Sequence, residues 1–186
     1  MQWLKGKFVV VGVCGGIAAY KAANVVSLLK KMGADVRVIM TKAAREFVCP
    51  LTFQTLSAAP VATDMFEIPE NWDVEHISLA KRADAMLIVP ATANIIGKIS
   101  AGIADDMLTT TLMATKAPVI IAPAMNTNMY ENPIVCENIA RLKALGYIFI
   151  EPDGGFLACG DSGIGRLPEP EVIVDRVVYT IAYNKD

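Results

Sequence analysis

The chain is predicted to fold as one α/β domain, residues 1–186, around a doubly wound parallel sheet. Three observations carry this. Apolar runs of strand length recur along the chain, helix-spaced stretches separate them, and no repeat or low-complexity linker interrupts the alternation. At 186 residues the chain is long enough for a substantial core.

The elements follow in order. "KFVVVGV" (Lys7 to Val13) is a continuous β-rich run, as expected of a strand covered on both faces. After Gly15-Gly16, "IAAYKAANVVSLLKKMG" repeats its apolar residues at helical spacing, and Gly33 closes it. "ADVRVIM" is a second strand ending at Thr41, which completes a βαβ unit. "DAMLIVP" is a third strand, followed by a helical stretch running through "IADDMLTTTLMAT". "APVIIAP" is a fourth, and "NPIVCENIARLKALG" a helix opened by Asn132-Pro133 and ended by Gly146. "YIFIEP" is a fifth strand, and "EPEVIVDRVVYTIAYNK" a final helix that packs back on the sheet. Two stretches resist the scheme. "EIPENWDVEH" is polar and irregular, and "DGGFLACGDSGIGRLPEP" has the glycines of a long, mobile loop, a kind that is usually functional.

Composition narrows the function classes. Hydrophobic residues make up 54% of the chain, and charged residues only 19% with a formal net charge of −2. No basic field is present to drive nucleic-acid binding, and no stretch approaches the roughly 20 apolar residues of a membrane span. The apolar surplus instead points to surface covered by other subunits. Cys14, Cys49, Cys136 and Cys159 form no CxxC pair, which speaks against zinc, or any other metal, and against a disulfide framework. The apolar run in "MQWLKGKFVVVGVCGG" is short and meets a βα turn, so it is not read as a leader; a reduced, cytoplasmic protein is expected.

In an open parallel sheet, ligands bind at the carboxyl ends of the strands. The chemistry is therefore expected in "CGGIAAYK", "MTKAAREF", "PATAN" and "PAMNTNMY". Gly15-Gly16 offers backbone N–H groups at a helix N-terminus, a seat for phosphate, though it fits a tight turn equally well. It is neither the dinucleotide fingerprint nor a Walker loop, and Thr41-Lys42 stands where an adenine ribose would need an acid. A mononucleotide fits better than NAD. Thr92 and Asn94 bring a hydroxyl and an amide to a second strand end, where a plain helix cap is the competing reading. His76, the only histidine, has the pKa range for proton transfer but is as ordinary a surface or capping residue. "PAMNTNMYENP" crowds Met and Asn after a buried strand, which suits a flat apolar ligand and a carboxylate held without Arg. Such weak neutralisation helps a carboxylate that must leave as carbon dioxide. Cys159 lies among glycines, unlike Cys14 and Cys136, whose positions suit buried structural thiols.

Together, "GGIAAYK", the His of "VEHISLA", "PATAN…GK…G.ADD.L", "PAMNTNMYENP" and "ACGDSGIGRLPEP" resemble the homo-oligomeric flavin-containing Cys decarboxylases, and among them the phosphopantothenoylcysteine-decarboxylating branch. The match runs from about Lys7 to Val174. It implies a Rossmann/flavodoxin-like fold with a Gly-rich flap over the active site. It implies FMN, held by Gly15, Gly16, Ile17, Thr41, Lys42, Ala43, Phe47, Thr92, Ala93, Asn94, Ile95 and Ala124. His76 would be the catalytic base, Asn126 the ligand of the substrate carboxylate, and Cys159 the acid of the final reduction. Asn126, Met129, Phe156, Leu157 and Ala158 would contact substrate. The one departure is Tyr130, where the family motif usually has Trp; the aromatic ring is kept.

The implied activity is conversion of 4′-phosphopantothenoylcysteine to 4′-phosphopantetheine in coenzyme A biosynthesis, through thioaldehyde and ene-thiol intermediates. The implied assembly is a homotrimer or dodecamer with active sites between subunits. A phosphopantothenate–cysteine ligase, fused or separate, is the implied partner, as in bifunctional relatives. The alternatives are a peptidyl-cysteine decarboxylase of the same family, against which Cys159 speaks, and a flavin-binding regulatory subunit. A flavin prenyltransferase would share the fold but lack the His and the "MNxxM" pair.

Overall fold

The computed structural model of the protein describes residues 2–65, 74–156, 160 and 162–183. The first strand, β1 (Phe8–Val13), is buried along its whole length. It lies between β2 (Asp35–Met40) and β4 (Ala85–Ala91), parallel to both. Further out are β3 (Val61–Ala62) beside β2, and β5 (Val119–Pro123) then β6 (Ile148–Phe149) beside β4. The order β3-β2-β1-β4-β5-β6 reverses direction between β1 and β4. Chain crossovers therefore leave toward opposite faces at that point, and a crevice opens beyond the carboxyl ends of these two strands.

Side chains of β1 alternate between two cores, as a pleated strand requires. Val9, Val11 and Val13 face one layer, where α1 (Ala19–Lys31) packs beside α8 (Pro170–Tyr183). Phe8 and Val10 face the other, where α3 (Glu75–Arg82), α4 (Ala93–Ala101), α5 (Met107–Ala114) and α7 (Pro133–Ala144) cover the sheet. Helix α1 buries Ala19, Ala22, Val25, Val26 and Leu29, one stripe at helical spacing. The sheet is pinned at its N-terminal edge by Asp84, whose carboxylate accepts from Phe8 N and Lys7 Nζ, both at 2.8 Å.

Five local expectations are corrected. The stretch after "PATAN" is two helices. Gly102 ends α4 with φ +71°, and Asp106 starts α5 with a capping box to Thr109. Part of the expected glycine loop is an antiparallel hairpin, β7 (Asp153–Phe156) with β8 (Ser162–Arg166). Glu75 and His76 open a helix, and "YIFIEP" contributes only two sheet residues. Cys136, expected to be buried, is exposed on α7, whereas Cys14 is buried as expected. Two further elements join strand ends: α2 (Pro50–Ser57), and a 3-10 helix, Lys42–Glu46, directly after β2. Among the described residues no helix is long and apolar enough to cross a membrane, and no cluster of metal-ligating side chains occurs.

Candidate functional site

The crevice at the switch point is a cleft of about 940 Å³, within the size range of cofactor sites. Its first wall is the β1 end. Gly15 is required there by packing, because a Cβ would lie 2.7 Å from the carbonyl carbon of Ala43. The glycine lets the 3-10 turn settle against the β1 loop. Gly16 has open space instead, with only the Thr92 methyl at 3.8 Å, and Ile17 is 60% exposed. Ala18 caps α1 without a side-chain acceptor. The Ala19 and Lys21 amides are taken by the carbonyls of Gly16 and Ala18, while Gly15, Gly16, Ile17 and Ala18 line the cleft just before the positive end of the helix, a setting that suits an anion.

The β2 end supplies Thr41, Lys42 and Ala43. Thr41 Oγ1 accepts from Ala44 N at 3.2 Å and so starts the 3-10 helix. The β4 end supplies Thr92, Ala93, Asn94 and Ile95. Thr92 caps α4 through Ile95 N at 3.4 Å, so the capping role and a place on the cleft wall coexist.

The fourth wall follows β5: Ala124, Met125, Asn126 and Met129. Asn126 caps α6 (Thr127–Tyr130), its Oδ1 accepting from Asn128 N at 2.9 Å. The hairpin adds Phe156, Gly165 and Arg166. It is tied to the Asn126 loop by Met125 N donating to the Gly165 carbonyl at 3.0 Å. Gly165 has φ +145°, and a Cβ there would run into the Met125 carbonyl oxygen.

One cleft thus gathers all the expected cofactor residues except Phe47, and Asn126, Met129 and Phe156 of the substrate set. Phe47 is 50% exposed and not on the wall. His76, expected to face the same crevice, is half-buried in the first turn of α3 and does not line the cleft of a single chain. Leu157, Ala158 and Cys159 lie outside the described residues.

The structure adds wall residues that carried no assignment. Cys14 is fully buried, and burial pushes its thiol up to about 12 despite the hydrogen bond with the Thr92 backbone. It is a neutral floor at physiological pH, not a nucleophile. Lys98 pairs with Asp105 at 2.6 Å and Asp106 at 3.4 Å. The Asp105 hydrogen bond, chiefly, raises the Lys98 pKa. The "GK…ADD" spacing held this pair in view, but which carboxylate meets the lysine depends on the break between α4 and α5. Lys21, Arg166 and Asp106 complete the charged lining.

Residues 2–182 match the model of the Flavoprotein family. The chain is 55% identical over 171 residues to the coenzyme A biosynthesis bifunctional protein CoaBC of Bacillus subtilis, covering 92% of this chain and 42% of that protein. It therefore spans less than half the length of that relative. Among solved structures, a mutant PPC decarboxylase complexed with pantothenoylaminoethenethiol aligns with TM-score 0.81 and 32% identity, over 92% of this chain and 96% of that one. The FMN-dependent cysteine decarboxylase SpaF aligns with TM-score 0.83 and 30% identity, over 95% and 98%.

Proposed function

Because this chain belongs to the Flavoprotein family, we propose that it is an FMN-dependent decarboxylase acting on 4′-phosphopantothenoylcysteine in coenzyme A biosynthesis. One observation carries the reading: four separate strand-end segments, Gly15–Ile17, Thr41–Ala43, Thr92–Ile95 and Ala124–Met129, border a single cleft at the switch point. The relatives named for this activity, and for FMN, give the cleft its chemistry.

The residues present fit FMN. The uncapped N-terminus of α1, the open side of Gly16 and the Lys42 ammonium would take its phosphate, while Thr92–Ile95 and Ala124 would border the ring system. When bound, FMN supplies a reversible two-electron acceptor, which a cysteine carboxylate needs because it has no electron sink of its own. The protein side chains divide the rest. His76 takes the thiol proton as the substrate carbon is oxidised to a thioaldehyde. Asn126 orients the carboxylate with an uncharged amide, so its loss as carbon dioxide is not opposed by a strong counter-ion. Conversion of the resulting ene-thiolate to 4′-phosphopantetheine takes a hydride, which the reduced cofactor would return, and a proton, which Cys159 delivers.

His76 and Phe47 complete the site from a neighbouring copy in a homotrimer, itself free or part of a dodecamer. The exposed apolar side chains of Phe47, Met129 and Phe156 support such an assembly. A ligase, fused or separate, would supply the substrate. Mass spectrometry of the products from 4′-phosphopantothenoylcysteine tests the reading. 4′-Phosphopantetheine and carbon dioxide are expected. An ene-thiol as the final product would favour a peptidyl-cysteine-type decarboxylase, and no carbon dioxide would favour a regulatory flavoprotein.

A further inference from the structure

Cations outnumber acids on the cleft wall. Among the described residues, Lys21, Lys42, Lys98 and Arg166 share the lining with one carboxylate, Asp106, on a chain whose formal net charge is −2. Lys98 is neutralised by Asp105 and Asp106, and Lys42 belongs to the 3-10 turn that packs on Gly15 and is proposed for the cofactor phosphate. Lys21 and Arg166 remain, and both lean on one carboxylate. Glu169 lies 3.5 Å from Lys21 Nζ and 3.4 Å from Arg166 Nη2, while Asp153 is 3.9 Å from Arg166. Glu169 is exposed, and pairs this long are weak and exchange readily.

A phosphate monoester carries close to two charges at neutral pH. A guanidinium can take two of its oxygens at once, which neither Glu169 nor Asp153 does at these distances. Position assigns Arg166 to one side of the cleft, with Lys21 reaching it through Glu169 from the first turn of α1. Arg166 directly follows Gly165, which is bonded to the Asn126 loop, and it shares the hairpin with Phe156. It therefore sits on the side where substrate is proposed to lie.

We infer that Arg166, assisted by Lys21, receives the phosphate of the substrate and makes the site prefer phosphorylated over unphosphorylated pantothenoylcysteine. This rests on the decarboxylase reading above. Displacing Glu169 is the first event of recognition, and the cofactor phosphate is left to the β1 and β2 ends.

The test compares wild type and Arg166→Gln, with FMN bound, on 4′-phosphopantothenoylcysteine and pantothenoylcysteine. The wild type should favour the phosphorylated substrate in kcat/KM. Arg166→Gln should lose about 10–100-fold of that preference, mostly through KM, as expected for a charge-assisted contact, and Arg166→Lys should regain part of it. Glu169→Gln, which frees both cations, should lower KM for the phosphorylated substrate about twofold to fivefold; it also serves if Arg166→Gln does not fold. An unchanged preference in Arg166→Gln, or an unchanged KM in Glu169→Gln, overturns the inference. So does a loss of FMN-over-riboflavin selectivity in place of substrate preference, because the pair would then serve the cofactor. A wild type inactive on both substrates overturns the decarboxylase reading itself, and the inference with it.

Discussion

On the cofactor side of the cleft the wall is backbone at strand ends, packed so closely that Gly15 cannot carry a side chain beside Ala43. On the opposite side it is side chains on a four-residue helix and a hairpin, where Phe156 is 73% exposed. The first side is fixed by the sheet, because Gly15 and Thr92 continue directly from its two central strands. The second hangs on a few contacts, such as Met125 N to Gly165 O at 3.0 Å. Binding of a constant cofactor suits the rigid side. Reading and processing a substrate suits the side whose chemistry is carried by replaceable side chains.

The largest expected effects concern the two residues proposed to move protons. His76→Asn should keep FMN yet lose turnover by roughly 10²–10⁴-fold, the range of a general base. Loss of flavin in that variant would break the division of labour, and near-normal turnover would leave His76 no part in the chemistry. Cys159→Ser should release carbon dioxide once and then stall with an ene-thiol, since a hydroxyl is far weaker as an acid than a thiol of reference pKa about 8.5. Normal steady turnover to 4′-phosphopantetheine, followed by mass spectrometry, would make the cysteine structural.

A smaller effect is expected on the backbone half. Gly15→Ala forces the new methyl against the Ala43 carbonyl. Overpacking of this kind costs about 1–3 kcal/mol, so FMN affinity, measured by fluorescence quenching, should fall by about 5–150-fold. Unaltered affinity would mean that the 3-10 turn can move aside freely, and the contrast between the two halves would lose its basis.

The smallest effect should touch neither half. Asp84 is partly buried, which opposes its ionisation, but the Lys7 hydrogen bond and the Phe8 N–H outweigh this and hold its carboxyl below the usual range. Its stabilisation is therefore complete above the unfolded value of about 3.9 and fades as pH falls through the lower folded value. Asp84→Asn should cost about 1 kcal/mol near neutrality and flatten the acid limb of a stability–pH curve. Unchanged acid stability would show that the pair does not pin the sheet.

The sequence made the central strands legible because Phe8–Val13, Asp35–Met40, Ala85–Ala91 and Val119–Pro123 are continuous apolar runs or nearly so. Helices α1, α7 and α8 were legible from periodicity and caps. The edge strands Val61–Ala62 and Ile148–Phe149 are too short for a pattern. The hairpin was hidden because Gly154, Gly155, Gly163 and Gly165 carry no strand propensity; at Gly165, glycine answers a close approach to Met125. The start of α5 did have a signal, Asp106 three residues before Thr109. Among the site residues, those at strand ends were readable from topology. That His76 does not line the cleft was not, because its place depends on where α3 starts and how it packs on the sheet. Arg166 was overlooked because its place in the cleft depends on the unforeseen hairpin.

Rapid mixing of the FMN-loaded protein with 4′-phosphopantothenoylcysteine, excluding oxygen, tests the central claim most directly, with flavin absorbance and carbon dioxide followed together. The predicted result is a transient loss of the visible flavin band that recovers within each turnover, with one carbon dioxide released per turnover. Carbon dioxide released with no change in the flavin band, or a protein that binds no FMN at all, would contradict it.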